Sequence, residues 1–439
     1  MNKITEFGDD DLIGLDKFGV RLLKFIEVEH SFVEGGLVLA LNSRFGFGKS
    51  TFLEMWKSYL EALPEEERPL IIPLNAWESD YYGDALFSLI SALIEYLESH
   101  NNTVRAKGIK DAARDIAWVA TAIGGQIAEK ATGINAVDAG NFAQGKRNER
   151  EGARILSHDS FSIFQKRKEA MGRLKTEIKN LIESEKRPLL FIVDELDRCR
   201  PDFAISYLES IKHIFDCKGA TFILAADRDH LENSARTAFG PDLVFDEYFR
   251  KFVHREVSLP SISDQSYRRI ATKYVHYYLQ NEGLRNCAME LSDARLKNIT
   301  EFCAGLKLSP RQIQEVFRVL GHLLQFPEQG KLLDGICLGS IAMSVLRVGR
   351  PELYKELGSR KLEPMEIYEI LSNLFENHVN WWFGIFLSGF RWSKDEAADL
   401  KAKLEENSTP FEGLYWPDWG NSGFREIYEK IEDLTDFAS

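Results

Sequence analysis

The chain has 439 residues, which at about 150 per domain allows roughly three compact units, or one α/β domain with a helical appendage. Apolar residues make up 44% and aromatic residues 12%, with only 13 prolines, which excludes a disordered or collagen-like chain. The 55 basic and 68 acidic side chains leave a formal charge of −13, so no global positive field draws the protein to nucleic acid or anionic lipid.

The N-terminal MNKITEFGDDDLIGL is acidic and lacks an apolar run of the kind that a secretory signal carries. Residues 11–30 place Leu15, Phe18, Leu22, Phe25 and Ile26 at helical spacing, an amphipathic entry helix. LVLALN (37–42) is a continuous apolar run suited to a buried parallel strand. A glycine-rich turn follows, and a helix runs from about Lys49 to Leu63 with Phe52, Leu53, Trp56, Tyr59 and Leu60 on one face. LIIPLNAW (70–77) reads as a second strand, where Pro73 calls for an edge position or a bulge. A helix spans Asp84 to Leu97.

The pattern loosens over about 101–160, which reads as an insertion; its longest uncharged apolar stretch, Ile116 to Ala128, is shorter than the ~20 residues of a membrane-spanning helix. Peripheral membrane contact stays open. A helix over 161–184, the strand RPLLFIVDE (187–195), a helix over 201–215, the strand ATFILAAD (220–227) and a helix from Arg228 complete an alternation that implies a doubly wound parallel sheet, an α/β fold. Beyond Pro260 the signal is helical, at 264–281, 291–304, 310–325, 331–348 and 364–405. The division expected is a core over 1–260, a helical lid over 261–330 and a helical, aromatic-rich region over 331–439. The five cysteines are odd in number and include no C-x-x-C pair, which argues against a disulfide scaffold or a thiolate zinc site and makes a reducing, cytoplasmic setting the expected one.

Two segments carry chemistry. In Ser43-Arg44-Phe45-Gly46-Phe47-Gly48-Lys49-Ser50-Thr51, a strand turns into a helix through two glycines that let backbone N–H groups approach a polyphosphate. Lys49 is suited to the β- and γ-phosphates and the Ser50 hydroxyl to Mg²⁺; Ser43 stands where the G-x-x-x-x-G-K-[ST] pattern begins with glycine. In LLFIVDELDRC (189–199) an apolar strand ends in Asp194 and Glu195, the first suited to the metal and the second to polarising the attacking water. Asp197 and Arg198 are open between a supporting ion pair and nucleotide contact. No N-K-x-D guanine motif occurs, so ATP is the expected nucleotide, with Mg²⁺.

With these residues assembled, the chain resembles the KAP family of P-loop NTPases over roughly residues 10–325. The matching pieces are RFGFGKST (44–51), LNAWESD (74–80), VDELDRCRPDFAISYLESIKHIF (193–215), FILAADRDHL (222–231), YFRKFVHREVSLP (248–260) and SPRQIQEVF (309–317). The resemblance implies a P-loop ATPase with an additional strand and a catalytic acid, a helical lid, and a lid arginine at Arg311. It also implies a bacterial anti-phage role, with a protein partner encoded nearby or self-association. Asp227 is open between sensing the γ-phosphate and capping a helix, and Arg236, Arg250 and Arg255 are candidates to act across a subunit interface. A low-turnover ATP-binding scaffold that recruits a partner through its C-terminal aromatics is the alternative function. Lys168, Lys175 and Lys179 form a basic helix stripe that could track phosphates or simply face solvent, so nucleic acid is open but not favoured.

Overall fold

The computed structural model describes residues 6–8, 11–43, 48–81, 83–100, 102–122, 160–214, 217–279, 293–325, 334–359, 362, 364–374, 382, 386 and 423–434. The chain divides into two compact units, Lys3–Pro260 and Ser261–Ser439.

The first unit is built on a five-stranded sheet: β1 (Leu37–Asn42), β2 (Leu70–Asn75), β3 (Leu189–Asp194), β4 (Ala220–Ala226) and β5 (Arg255–Ser258). All pairings are parallel, in the order β2-β3-β4-β1-β5, so β4 separates β1 from β3. Each connection is therefore a crossover, and helices cover both faces. Pro73 lies on β2, an edge strand, in register with Ile192.

Alternate strand residues point to opposite faces, and the two sets pack against different helices. Leu37, Leu39, Leu41, Ile71, Leu190, Ile192 and Ile223 meet α1 (Asp16–Glu29) and α2 (Lys49–Glu61), where Trp56 is fully buried and donates its indole N–H to the Gly19 carbonyl at 3.1 Å. A Cβ on Gly19 would lie 2.9 Å from the Trp56 ring, so the close approach of α1 to α2 requires glycine.

The opposite face, with Ile72, Phe191, Val193, Phe222 and Leu224, is covered by α4 (Ala85–Ser99), α5 (Thr103–Ala122), α6 (Ser160–Glu185), α7 (Pro201–Ile214) and α8 (Arg228–Phe239). Phe191 and Phe222 stack across adjacent strands with centroids 4.4 Å apart.

Three local readings differ from the sequence pattern. The 70–77 strand stops at Asn75, whose side-chain oxygen accepts from the N–H groups of Trp77 and Glu78 and so caps a short helix, α3 (Ala76–Asp80). The start of the loosely patterned segment is helical, since α5 buries Ala106, Ile109, Ala112 and Ile116 in the core. After the short helix α9 (Phe245–Phe249), β5 forms from a polar run with no apolar alternation. Lys168, Lys175 and Lys179 are exposed on α6, with Leu174 and Ile178 buried behind them.

The second unit is helical: α10 (Asp264–Leu279), α11 (Asp293–Gly305), α12 (Pro310–Gln325), α13 (Asp334–Gly349), α14 (Pro351–Gly358), α15 (Pro364–Leu374) and α16 (Gly423–Asp433). Ser309 and Gln312 open α12 with a reciprocal capping box, the Gln312 N–H donating to Ser309 Oγ and the Ser309 N–H to Gln312 Oε1. The rest of the 364–405 helix and the 411–419 aromatics lie outside the described residues, apart from Trp382 and Phe386, which are buried against Phe302. Among the described residues no helix is long and apolar enough to cross a membrane.

Candidate active site

In open parallel sheets, ligand sites form outside the carboxyl ends of the strands. Here those ends are polar on every strand: Asn42 ends β1, Asn75 ends β2, Asp194 ends β3, Asp227 follows β4 and Ser258 ends β5. Apolar runs that each stop on a polar residue are therefore the sequence signal that marks Asn42 and Asn75, which motif reading leaves aside.

Arg44, Phe45, Gly46 and Phe47 lie outside the described residues. On either side of them, Ser43 follows β1 and Gly48 precedes α2 with φ 87° and ψ 19°, a left-handed conformation natural to glycine. Lys49, Ser50 and Thr51 form the first turn of α2. The Lys49 ammonium turns back to donate to the Ser43 carbonyl and lies 3.8 Å from Asp197 Oδ2. Burial lowers the Lys49 pKa from its ordinary value, and the charges of Asp197, Asp227 and Asp194 act against that shift.

Ser50 and Asp194 meet although β1 and β3 are not neighbours in the sheet. The Ser50 side chain lies near the Asp194 carboxyl, whose Oδ1 accepts the Glu195 N–H at 2.8 Å. Burial raises the Asp194 carboxyl above the usual range, while Ser50 and the Glu195 N–H pull it back. A hydroxyl and a carboxylate brought together at the start of a helix are oxygen donors of the kind that suit Mg²⁺, which takes one or two protein ligands and fills its octahedron with phosphate and water. Among the described residues no cluster of three or more His, Cys, Asp or Glu side chains could hold a metal by itself.

Glu195 stands just past β3 with φ 61° and ψ 24°, left-handed in a residue with a long side chain. Backbone of this kind costs of order 1–3 kcal/mol and gathers at functional sites. Its Oε2 accepts from Asn75 Nδ2 at 3.2 Å, and its Oε1 lies 2.9 Å from Arg198 Nη2. Asn75 and Asp194 are register partners at the tips of β2 and β3, which is why a residue 120 positions away reaches Glu195.

The loop residues left open by the sequence take distinct partners. Asp197 pairs with Lys49 and accepts the Asp227 N–H at 3.0 Å, and Arg198 pairs with Glu195. Asp227 caps α8, accepting the Asp229 N–H at 3.1 Å. Arg236 pairs with Glu232 and Arg255 with the largely buried Glu29, while Arg250 is exposed after α9. Arg311 is exposed in the first turn of α12, in the second unit.

The structure thus brings Ser43, Lys49, Ser50, Asp194 and Glu195 to one end of the sheet, with Asn75, Asp197 and Asp227 around them. A search of curated proteins finds no significant match. Among solved structures, the chain is similar to the Aeropyrum pernix ORC2 protein in its ADPNP-ADP complexes, at 11% identity and a TM-score of 0.37, over 98% of this chain and 96% of that one. It is similar to the ADP form of that protein at 11% identity and a TM-score of 0.35, over 96% and 93% of the two chains. The KAP family P-loop domain model matches residues 17–325, well over half of the sequence. With a P-loop lysine and serine at the head of α2, an acidic pair at the tip of β3 and this match spanning both, the chain belongs to the KAP family of P-loop NTPases.

Proposed function

We propose that the protein is a Mg²⁺-dependent ATPase that hydrolyses ATP to ADP and phosphate and converts nucleotide state into a conformational change. The observation that carries this reading is the ion pair between Lys49 at the head of α2 and Asp197 just past β3, 3.8 Å apart, because it brings the lysine and serine that open α2 up to the acidic tip of β3.

In this reading the turn from Ser43 to Thr51 binds the triphosphate, and Lys49 leaves the Ser43 carbonyl and Asp197 to neutralise the β- and γ-phosphates. Ser50 and Asp194 would hold Mg²⁺, which when bound neutralises charge on the phosphate oxygens. Glu195 orients a water and accepts its proton as the water oxygen attacks the γ-phosphorus and the bond to the β-bridging oxygen breaks, releasing ADP. Arg311 is assigned as a lid arginine on the family resemblance, which also supports a role in bacterial anti-phage defence with a protein partner.

The engagement of both Glu195 oxygens favours a second reading, a protein that binds ATP and turns it over slowly. Phosphate release and calorimetric ATP binding, measured on wild type, Lys49→Ala and Glu195→Gln, test both. Lys49→Ala is expected to lose binding. Glu195→Gln is expected to keep binding and lose turnover by about 10²-fold or more. Equal phosphate release by all three removes the hydrolytic reading, and wild type that binds ATP with background turnover selects the second. The defence role predicts that deleting the gene raises phage plating efficiency; unchanged plating across a broad panel rejects it.

A further inference from the structure

Glu195 is gripped by two side chains. A carboxylate takes a proton from water through an oxygen lone pair directed at that water; each oxygen has two such pairs, so the bond of Oε2 to Asn75 and the pairing of Oε1 with a guanidinium fix where the remaining pairs point. Arg198 has a second seat. Its Cζ lies 5.6 Å from the centroid of the Trp77 ring, within the range of cation–π attraction.

Both grips converge on one short stretch of chain. Asn75 is the N-cap of α3 and Trp77 lies in its first turn, so the amide that holds one Glu195 oxygen and the ring that seats the guanidinium on the other move together. Trp77 is 51% exposed, which leaves the seat reachable from the surface. Arg198 belongs to the three-residue turn Leu196–Arg198 that follows Glu195, and the Arg198 N–H donates back to the Glu195 carbonyl at 3.1 Å. A swing of the Arg198 side chain alone would therefore free Oε1 without unwinding the turn.

We propose that Arg198 is a positioning residue that restrains Glu195, a latch held between the carboxylate and the Trp77 ring that keeps the base from the attacking water until its seat is vacated. The proposal rests on the ATPase reading above. One cation–π seat and one part-exposed ion pair together bias such an equilibrium by about 3- to 10-fold, a restraint that nucleotide or a partner is able to overcome.

The test is steady-state ATP turnover with Mg²⁺, together with calorimetric ATP affinity, for the full chain as wild type, Arg198→Ala, Arg198→Lys, Trp77→Ala and the double variant Arg198→Ala/Glu195→Gln. Arg198→Ala and Trp77→Ala are expected to raise kcat by about 3- to 10-fold with affinity held within about twofold. Arg198→Lys, which keeps the charge and loses the flat stacking surface, should fall between wild type and Arg198→Ala. The double variant should be as inactive as Glu195→Gln alone, because the gain runs through Glu195. A kcat that falls or stays level in Arg198→Ala or in Trp77→Ala overturns the latch, as does a gain that survives Glu195→Gln. Should Arg198→Ala not fold, Trp77→Ala decides alone. Wild type that neither binds nor hydrolyses ATP removes the ATPase reading and the latch with it, whereas active wild type with no faster variant removes the latch only.

Discussion

The Lys49 ammonium lies 3.8 Å from the Asp197 carboxylate, with the two side chains only 8% and 6% exposed. A buried cation that loses its partner keeps its desolvation cost. Asp197→Asn isolates the charge, since an amide oxygen still accepts the Asp227 N–H that Asp197 now binds. The expected loss, measured by urea unfolding without nucleotide, is on the order of 2–3 kcal/mol, softened from the full buried-pair value because Asp194 and Asp227 also act on Lys49. ATP with Mg²⁺ should narrow the gap to wild type, as phosphate supplies the missing negative charge. A gap unchanged by nucleotide would count against Lys49 facing the phosphates.

Gly48 enters α2 at φ 87°, and a Cβ built there meets no atom of the described residues within 4 Å. Among the described residues the demand for glycine is therefore the left-handed backbone rather than a close contact. Gly48→Ala should cost about 1–2 kcal/mol in the stability of the nucleotide-free protein, the ordinary penalty for a left-handed L-residue. A loss of ~4 kcal/mol or more would mean that the turn packs against something a Cβ cannot pass.

The strands that carry the site were legible because each buried one reads as an unbroken apolar run ending on a polar residue, as in LVLALN and LLFIVD. β5 was not, since Arg255, Glu256 and Ser258 are exposed on an edge and supply neither an apolar run nor an alternation. α3 was hidden for a related reason: Asn75 is at once the last residue of β2 and the cap of the next helix, so an apolar pattern runs past the boundary. Lys49, Ser50, Asp194 and Glu195 could be named from local motifs. The grip of Asn75 and Arg198 on Glu195 could not, because it depends on β2 lying beside β3 in register and on Glu195 adopting a left-handed backbone.

His30 ends α1 with Nε2 2.6 Å from the hydroxyl of Thr221, a buried residue of β4. Burial, aided by the Lys218 charge, lowers its pKa from the ordinary 6.5. A folded state that resists protonation binds fewer protons than the unfolded chain once pH drops below that value. The contribution is thus fully present above pH 6.5, is lost progressively as pH falls toward the lowered folded value, and then levels off. Urea midpoints for wild type and His30→Gln across this range should converge as the solution is acidified. Parallel losses in the two proteins would show that His30 does not titrate against folding.

Arg228 opens α8 one residue after Asp227 and spreads its guanidinium over three partners. Nη1 lies 2.6 Å from both carboxylate oxygens of Glu256 on β5, Nη2 pairs with Asp246 on α9, and Cζ sits 5.4 Å from the Phe245 ring centroid. The Arg228 N–H also donates to Asn42 Oδ1 at 3.3 Å, so the residue joins the tip of β1, the head of α8, the edge strand and α9. Its side chain is 28% exposed and its partners 63% and 37%, a setting in which a single ion pair is worth little but a shared, two-partner arrangement is worth more. Arg228→Ala should lower stability by about 1 kcal/mol at low salt, and the deficit should shrink as salt screens the pairs. Arg228→Lys keeps the charge but cannot fork between two carboxylates while lying over a ring, so it should recover only part of the loss. Because the backbone bond to Asn42 survives either change, ATP affinity should move little. A large fall in affinity with both variants would mean that the guanidinium network, and not the backbone alone, fixes the strand tips around the site.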